Sequence, residues 1–182
     1  LVEEFTVGND YLLDMELIPA DCAGSVAHAR MLKSIGILTA DELDAAEAGL
    51  ARILDEYGRG EFLVRREDED CHTAIEGRLT ALAGEAGKKI HTGRSRNDQV
   101  LCALRLYGRE GLLDFTRTVL DCAAAFLSFA GDNKLIPMPG RTHLQPAMPS
   151  SVGLWAGSFA EDLLDCMILV EGAYRLNNRS PL

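Results

Sequence analysis

Apolar residues recur along this chain at three- and four-residue intervals, and nowhere do they alternate with polar ones over the length of a strand. The pattern therefore predicts an all-α fold in which strands are not needed. After an irregular opening from Phe5 to Asn9, a short helix is expected over Asp10 to Leu17. Pro19 begins a second, which runs to about Ile35 and ends at Gly36. Thr39-Ala-Asp-Glu42 has the spacing of a capping box, and Leu43, Ala46, Leu50, Ile53 and Leu54 follow at helical intervals toward Tyr57, with Gly58 and Gly60 closing the helix. A mixed charge run over residues 65–70 leads into a helix carrying His72, Ile75, Leu79 and Leu82. Residues 84–89, Gly-Glu-Ala-Gly-Lys-Lys, then break the pattern and read as a hinge between domains.

The next helix is expected from about Asp98 to Gly131, about 50 Å at 1.5 Å per residue. Its apolar residues, among them Val100, Leu104, Leu113, Leu120 and Leu127, wind around more than one side, as in the middle of a helical bundle. Between Pro137 and Pro149 lie four prolines and Gly140, which exclude helix and imply a stiff loop. The last helix, from about Ser150 to Asn177, carries Val152, Trp155, Phe159, Leu163, Met167 and Val170 on one stripe. It reads as the antiparallel partner of the long helix, with Trp155 filling the core. The expected organisation is a small N-terminal helical domain, residues 1–90, followed by the first part of a central helical-bundle domain, residues 91–182.

Composition narrows the function. A net charge of -10 argues against a non-specific nucleic-acid surface, so positive charge has to act locally. Five cysteines, far apart and without a C-x-x-C pair, suit neither a disulfide framework nor a zinc site, and fit a reducing cytoplasm. No signal segment opens the chain. The most apolar stretch, Leu154 to Val170, is broken by Glu161, Asp162 and Asp165, which predicts a soluble protein without a membrane span. The chain lacks an initiator methionine and stops directly after a helical pattern, so it reads as cut at both ends.

Two polar corners carry the candidate chemistry. The first, His91-Thr92-Gly93-Arg94-Ser95-Arg96-Asn97-Asp98-Gln99, gathers arginine, hydroxyl and amide side chains where a long helix begins. Its unpaired N–H groups and positive dipole end suit a carboxylate or phosphate. The second presents Arg141, Thr142, His143 and Gln145 on a proline-restrained backbone. That histidine is either a proton carrier or a residue satisfying a carbonyl in a tight interhelical corner. The run at residues 65–70 reads as a solvated helix start. His72 behind it is either steadied by Glu69 and Asp70 or an ordinary packing residue. No G-x-G-x-x-G, Walker loop, H-E-x-x-H or nucleophile elbow is present. An anion cradle plus a proton carrier suits chemistry alpha to a carboxylate, where charge builds on carboxylate oxygens.

At these residues the chain resembles a known family. Lys89-Ile-His-Thr-Gly-Arg-Ser-Arg-Asn-Asp-Gln-Val100 and Pro139-Gly-Arg-Thr-His-Leu-Gln-Pro146 are similar to two signature segments of the argininosuccinate lyases, within the fumarase and aspartase superfamily. Gly24-Ser-Val-Ala-His28, Gly36-Ile-Leu-Thr39 and Glu67-Asp-Glu-Asp-Cys-His-Thr73 follow in the family's order, so the resemblance covers essentially the whole chain. It implies a reversible elimination of argininosuccinate to arginine and fumarate that needs neither cofactor nor metal. It also implies a homotetramer, with each site shared between subunits and no nucleic-acid or membrane partner. Carried onto this chain, the family pattern makes Ser95, Arg96 and Asn97 carboxylate-binding residues with Thr92 in support. Thr142 and Gln145 become substrate contacts, and His143 a general acid/base. The N-terminal substrate contact falls near Asp10, where some relatives carry serine. The third signature, a Gly-Ser-Ser loop with the other catalytic residue, and the carboxylate that orients the histidine are expected beyond Leu182, leaving the 182 residues inactive alone. Adenylosuccinate lyase or fumarase within the same superfamily, and a crystallin-like structural role, are the alternatives.

Overall fold

Helix forms in the computed structural model wherever the three- and four-residue period predicts it. Phe5 and residues 8–181 are described, and residues 6 and 7 of the expected irregular opening lie outside them. Helix α1 (Asp10–Leu13) passes into a 3-10 turn, Asp14–Leu17, and α2 (Ile18–Ser34) takes Pro19 in its first turn, where an N–H would lack an intrahelical partner anyway. The full capping box starts α3 (Ala40–Gly58). Glu42 N donates to Thr39 Oγ1 at 3.2 Å, and Thr39 N donates to the Glu42 carboxylate at 2.9 Å. A second 3-10 turn, Arg66–Asp68, precedes α4 (Cys71–Ala83), whose cap Asp70 accepts from Thr73 N at 2.7 Å. The passage expected to be a hinge is helical instead, α5 (Glu85–Lys89), entered through Gly84 at a φ of 58°. It lies so close to α4 that a Cβ on Gly87 would come within 2.7 Å of Thr80 Cα, which is why glycine stands there.

Helix α6 (Arg96–Asp132) runs unbroken for 37 residues. Beyond it the expectation of no strands fails. Strands β1 (Pro137–Thr142) and β2 (Gln145–Ser151) form an antiparallel hairpin, with Pro139 opposite Pro149 and a register shift between Pro139 and Arg141. Prolines that forbid helix also preset an extended φ, and a sheet of two strands leaves each an outer edge where no N–H is needed. Helix α7 (Val152–Asn177) follows, capped by Ser151 Oγ accepting from Leu154 N at 3.0 Å.

The chain divides inside α6 into two compact units: residues up to Tyr107 together with those from Ser180 on, and Gly108–Arg179. The first has a closed core. Ile18, Cys22 and Leu32 of α2, Leu50 and Ile53 of α3, and Cys71, Ile75 and Leu79 of α4 are buried together with Phe62, Val64 and Ile90. In the second unit the Arg109 guanidinium sits 5.8 Å from the Tyr174 ring centre, and Phe126 stacks on Phe159 at 5.5 Å. A Cβ on Gly153 would lie 2.5 Å from Ala130 O. Early residues of one helix meet late residues of the other, so the two run antiparallel. Trp155 does not fill the core as expected; it is 50% exposed, its ring edge-on to Phe159 at 5.3 Å.

Candidate functional site

The first polar corner is built by a cap. Ser95, just before α6, accepts from Asn97 N through Oγ at 3.2 Å, while its own N–H donates to the Asp98 carboxylate at 3.0 Å. This reciprocal pairing satisfies two donors at the helix start. Gly93, at a φ of 68°, supplies the left-handed step into it. The cap decides which side chains leave the protein. Thr92, Ser95 and Asn97 are exposed, whereas Gln99 is buried.

The inward side chains are anchored to α2. Gln99 Nε2 donates to both Asp21 carboxylate oxygens, at 2.9 and 3.0 Å. Arg94 Nη1 donates to Ser25 Oγ at 3.3 Å, and His28 Nε2 lies 3.1 Å from the Thr92 carbonyl oxygen. Burial pushes the Arg94 guanidinium below its usual range, opposed by the nearby Asp21, and Arg94 Nε has no hydrogen-bond partner among the described residues. Burial, then the Arg94 charge, also lowers the pKa of His28. Arg96 turns sideways: its Nη1 contacts both Asp70 oxygens, at 2.7 and 2.9 Å, and Thr73 Oγ1 at 3.1 Å. Of the two arginines gathered in the sequence, one is paired with a carboxylate and the other faces the interior.

His72 is buried, and its Nδ1 lies 3.4 Å from Asp21 Oδ2, so the carboxylate beside it comes from α2 and not from its neighbours Glu69 and Asp70. Sequence reasoning missed Asp21 and the inward, anchoring role of Gln99. A signal existed: Asp21 falls three residues after Ile18, on the core-facing side of an otherwise apolar stripe, where a carboxylate needs partners. A cavity of about 370 Å³ opens beside these groups, lined by Asp21, Gly24, His28, Arg94, Gln99 and Cys102. Asp10 stands exposed at the start of α1 and makes no bond to this corner among the described residues. Four residues on, the Asp14 carboxylate accepts from Cys71 N at 3.1 Å.

The second corner is the tip of the hairpin. Thr142 pairs across the strands with Gln145, leaving His143 and Leu144 as the two turn residues, at φ of 47° and 65°. Two consecutive positive φ values are the pattern of a type I′ turn, whose usual occupants are Asn-Gly; histidine and leucine are strained there. Thr142, His143 and Gln145 are all exposed. His143 makes no hydrogen bond among the described residues, so it is not satisfying a carbonyl. A groove of about 720 Å³ at the hairpin base is lined by Arg141, Leu154, Trp155 and Ser158 but not by His143. The first unit thus brings together Thr92, Ser95, Arg96 and Asn97, and the second Thr142, His143 and Gln145. The one offers donors to an anion, the other an unencumbered imidazole.

The remaining chemistry is quiet. Burial, with Asp21 adding to it, pushes the Cys22 thiol up to about 12, and burial likewise raises Cys71, so neither serves as a thiolate nucleophile. Among the described residues no group of three or more His, Cys, Asp or Glu is placed to share a metal ion, and no helix is long and apolar enough to cross a membrane.

A family model described as lyase matches residues 3–171. Argininosuccinate lyase of Parabacteroides distasonis is 46% identical over 181 residues, spanning 100% of this chain and 41% of that protein's length. The Thermotoga neapolitana enzyme of the same name is 42% identical over 181 residues, covering 46% of its length. The chain therefore spans about two fifths of the curated relatives it matches. Among solved structures, a variant of EDDS lyase with bound fumarate superposes at a TM-score of 0.80 with 27% identity, covering 99% of this chain and 35% of that one. A fumarate lyase:delta crystallin from Brucella melitensis, at 21% identity and a TM-score of 0.77 over 100% of this chain and 45% of its own, shares the fold.

Proposed function

The chain belongs to the lyase family, and from that premise we propose that it acts as part of an argininosuccinate lyase, splitting argininosuccinate reversibly into arginine and fumarate. In the elimination, a base takes the proton from the carbon next to a carboxylate, and the electron pair left behind spreads into that carboxylate. The C–N bond then breaks, its electrons leaving with the guanidino nitrogen, which takes up a proton to give arginine. Ser95 and Asn97, aided by Arg96 and Thr92, hold the carboxylates that become those of fumarate, where a helix start and amide donors stabilise the developing charge. Thr142 and Gln145 contact the substrate, His143 serves as a general acid/base, and Asp10 is the N-terminal contact.

The observation that carries this reading is the start of α6, where Ser95 and Asn97 stand exposed over a capped helix end beside the Arg96 guanidinium. Identity of 42–46% with argininosuccinate lyases along the whole chain supports that substrate over the others of the superfamily. The EDDS lyase variant that superposes on the chain holds fumarate, in keeping with a dicarboxylate product. We further assign residues 1–90 to an N-terminal domain and 91–182 to the beginning of a helical core. In a cytoplasmic homotetramer, that core brings the corners of different subunits together without cofactor or metal.

The test is fumarate absorbance with the full-length protein. Argininosuccinate should be turned over, and adenylosuccinate and malate left untouched. Preferential turnover of either would move the protein to another branch of the superfamily, and a folded protein inert to all three would leave a crystallin-like structural role. The 182-residue chain alone should release no fumarate; clear turnover would overturn the division of labour between segments.

A further inference from the structure

Asp21, Ser25 and His28 are spaced four and three residues apart in α2 and so share one face of that helix. Each meets a different residue of the first polar corner, in reverse order: Asp21 with Gln99, Ser25 with Arg94, His28 with the Thr92 carbonyl. One helix face is thus matched along its length to the inner side of residues 92–99. Asp21 and Ser25 are each only 2% exposed, a costly place for polar groups unless partnered. Ile18, Cys22, Ala29 and Leu32 already supply the apolar packing of α2, so apart from the 3.4 Å approach of Asp21 to His72 Nδ1 these two polar groups answer to the corner. Their partners share a backbone with Thr92, Ser95 and Asn97, whose side chains leave it on the outer side. Fixing the inner side of such a segment fixes the outer one.

We propose that the Asp21, Ser25 and His28 face of α2 positions the carboxylate-binding loop. The three are positioning residues that never touch substrate and act by setting how Ser95 and Asn97 are presented. The proposal rests on the reading of Ser95 and Asn97 as dicarboxylate ligands. A small misplacement of binding groups is enough to matter, because a shift of about 1 Å costs up to about a hundredfold in a well-oriented site.

His28 gives the cleanest test, because His28→Gln keeps an N–H that can reach the Thr92 carbonyl and His28→Ala does not. In the full-length enzyme, His28→Ala should lower kcat/KM for argininosuccinate about tenfold, the loss of transition-state stabilisation expected when carboxylate-binding groups are misplaced. His28→Gln should recover most of the loss, with the same Tm in all three proteins. Hydrogen–deuterium exchange read on residues 92–99 of the same proteins should rise in His28→Ala alone, without change elsewhere. An unchanged kcat/KM, a kcat/KM lowered equally in both variants, or unchanged exchange in His28→Ala would each overturn the proposal. Should the unsubstituted enzyme release no fumarate while exchange still rises locally in His28→Ala, the substrate assignment fails and the positioning of the loop stands.

Discussion

The two units handle apolar residues in opposite ways. In the first, short helices turn their stripes toward one centre, and Ile18, Leu32, Leu50, Ile53 and Leu79 are almost wholly out of solvent. In the second, the apolar residues buried are Val119, Ala123, Ala156 and Ala160, while Leu127, Phe129, Ile168 and Leu169 stand about half or more exposed. The difference is geometric. Two antiparallel helices and a hairpin bury one face each, and a helix that is apolar on several sides needs further neighbours. Large exposed apolar surface of this kind marks an interface, which in the proposed homotetramer is covered by helices of other subunits. The polar corners differ in the same sense: one is tied to α2 at three points, the other stands out on a turn.

The largest effect should come from the exposed corner. His143→Asn in the full-length protein should lower fumarate release about 10²- to 10⁴-fold, the usual worth of a general acid/base, with Tm unchanged because the imidazole is exposed and makes no hydrogen bond among the described residues. A fall in Tm would show that the tip is structurally anchored and break the contrast. Core substitutions come next. Ile53→Ala in the first unit should cost about 2–5 kcal/mol in urea unfolding. Ile168→Ala, 69% exposed in the second, should stay within about 0.5 kcal/mol in the single chain yet weaken assembly of the full-length protein by sedimentation. Equal costs in the single chain would mean the second unit has a closed core after all.

Gly153→Ala probes the tightest glycine contact of that second unit. Its Cβ would meet Ala130 O and Lys134 Cα, both at 2.5 Å and both backbone, so a loss of about 1–3 kcal/mol is expected in thermal melts followed by circular dichroism. The smallest effect concerns acid. Hydrogen bonds from Arg78, and then Arg52, hold the Glu56 carboxyl at about 2, against an ordinary 4.5. The depressed value makes its contribution complete above about 4.5 and lost as pH falls toward about 2. Glu56→Gln should flatten that acid limb in a pH titration of folded fraction, and an unaltered limb would remove Glu56 as its cause.

Sequence reading reached what local periodicity encodes. The Thr39 capping box, the long helix and both polar corners are legible because cap, period and breaker residues act within a few positions of themselves. It did not reach what depends on distant partners. Gln99 and Asp21 are 78 residues apart, and nothing local announces that Arg96 will be held by Asp70. The hairpin escaped for a different reason: its turn carries His143-Leu144, not Asn-Gly, and its prolines suit an unpaired edge as well as a loop. Trp155 escaped because a helical stripe tells which side is apolar but not whether anything covers it.

The backbone of the hairpin tip has a further consequence. A two-residue turn with both φ positive is most readily built from Asn-Gly, and replacing His143-Leu144 by that pair should stiffen the hairpin and raise its stability. On the proposed assignment it would also remove the proton carrier. Stability and activity then pull against each other at this one dipeptide, and consensus-style stabilisation of the loop would select against the residue proposed to carry its chemistry.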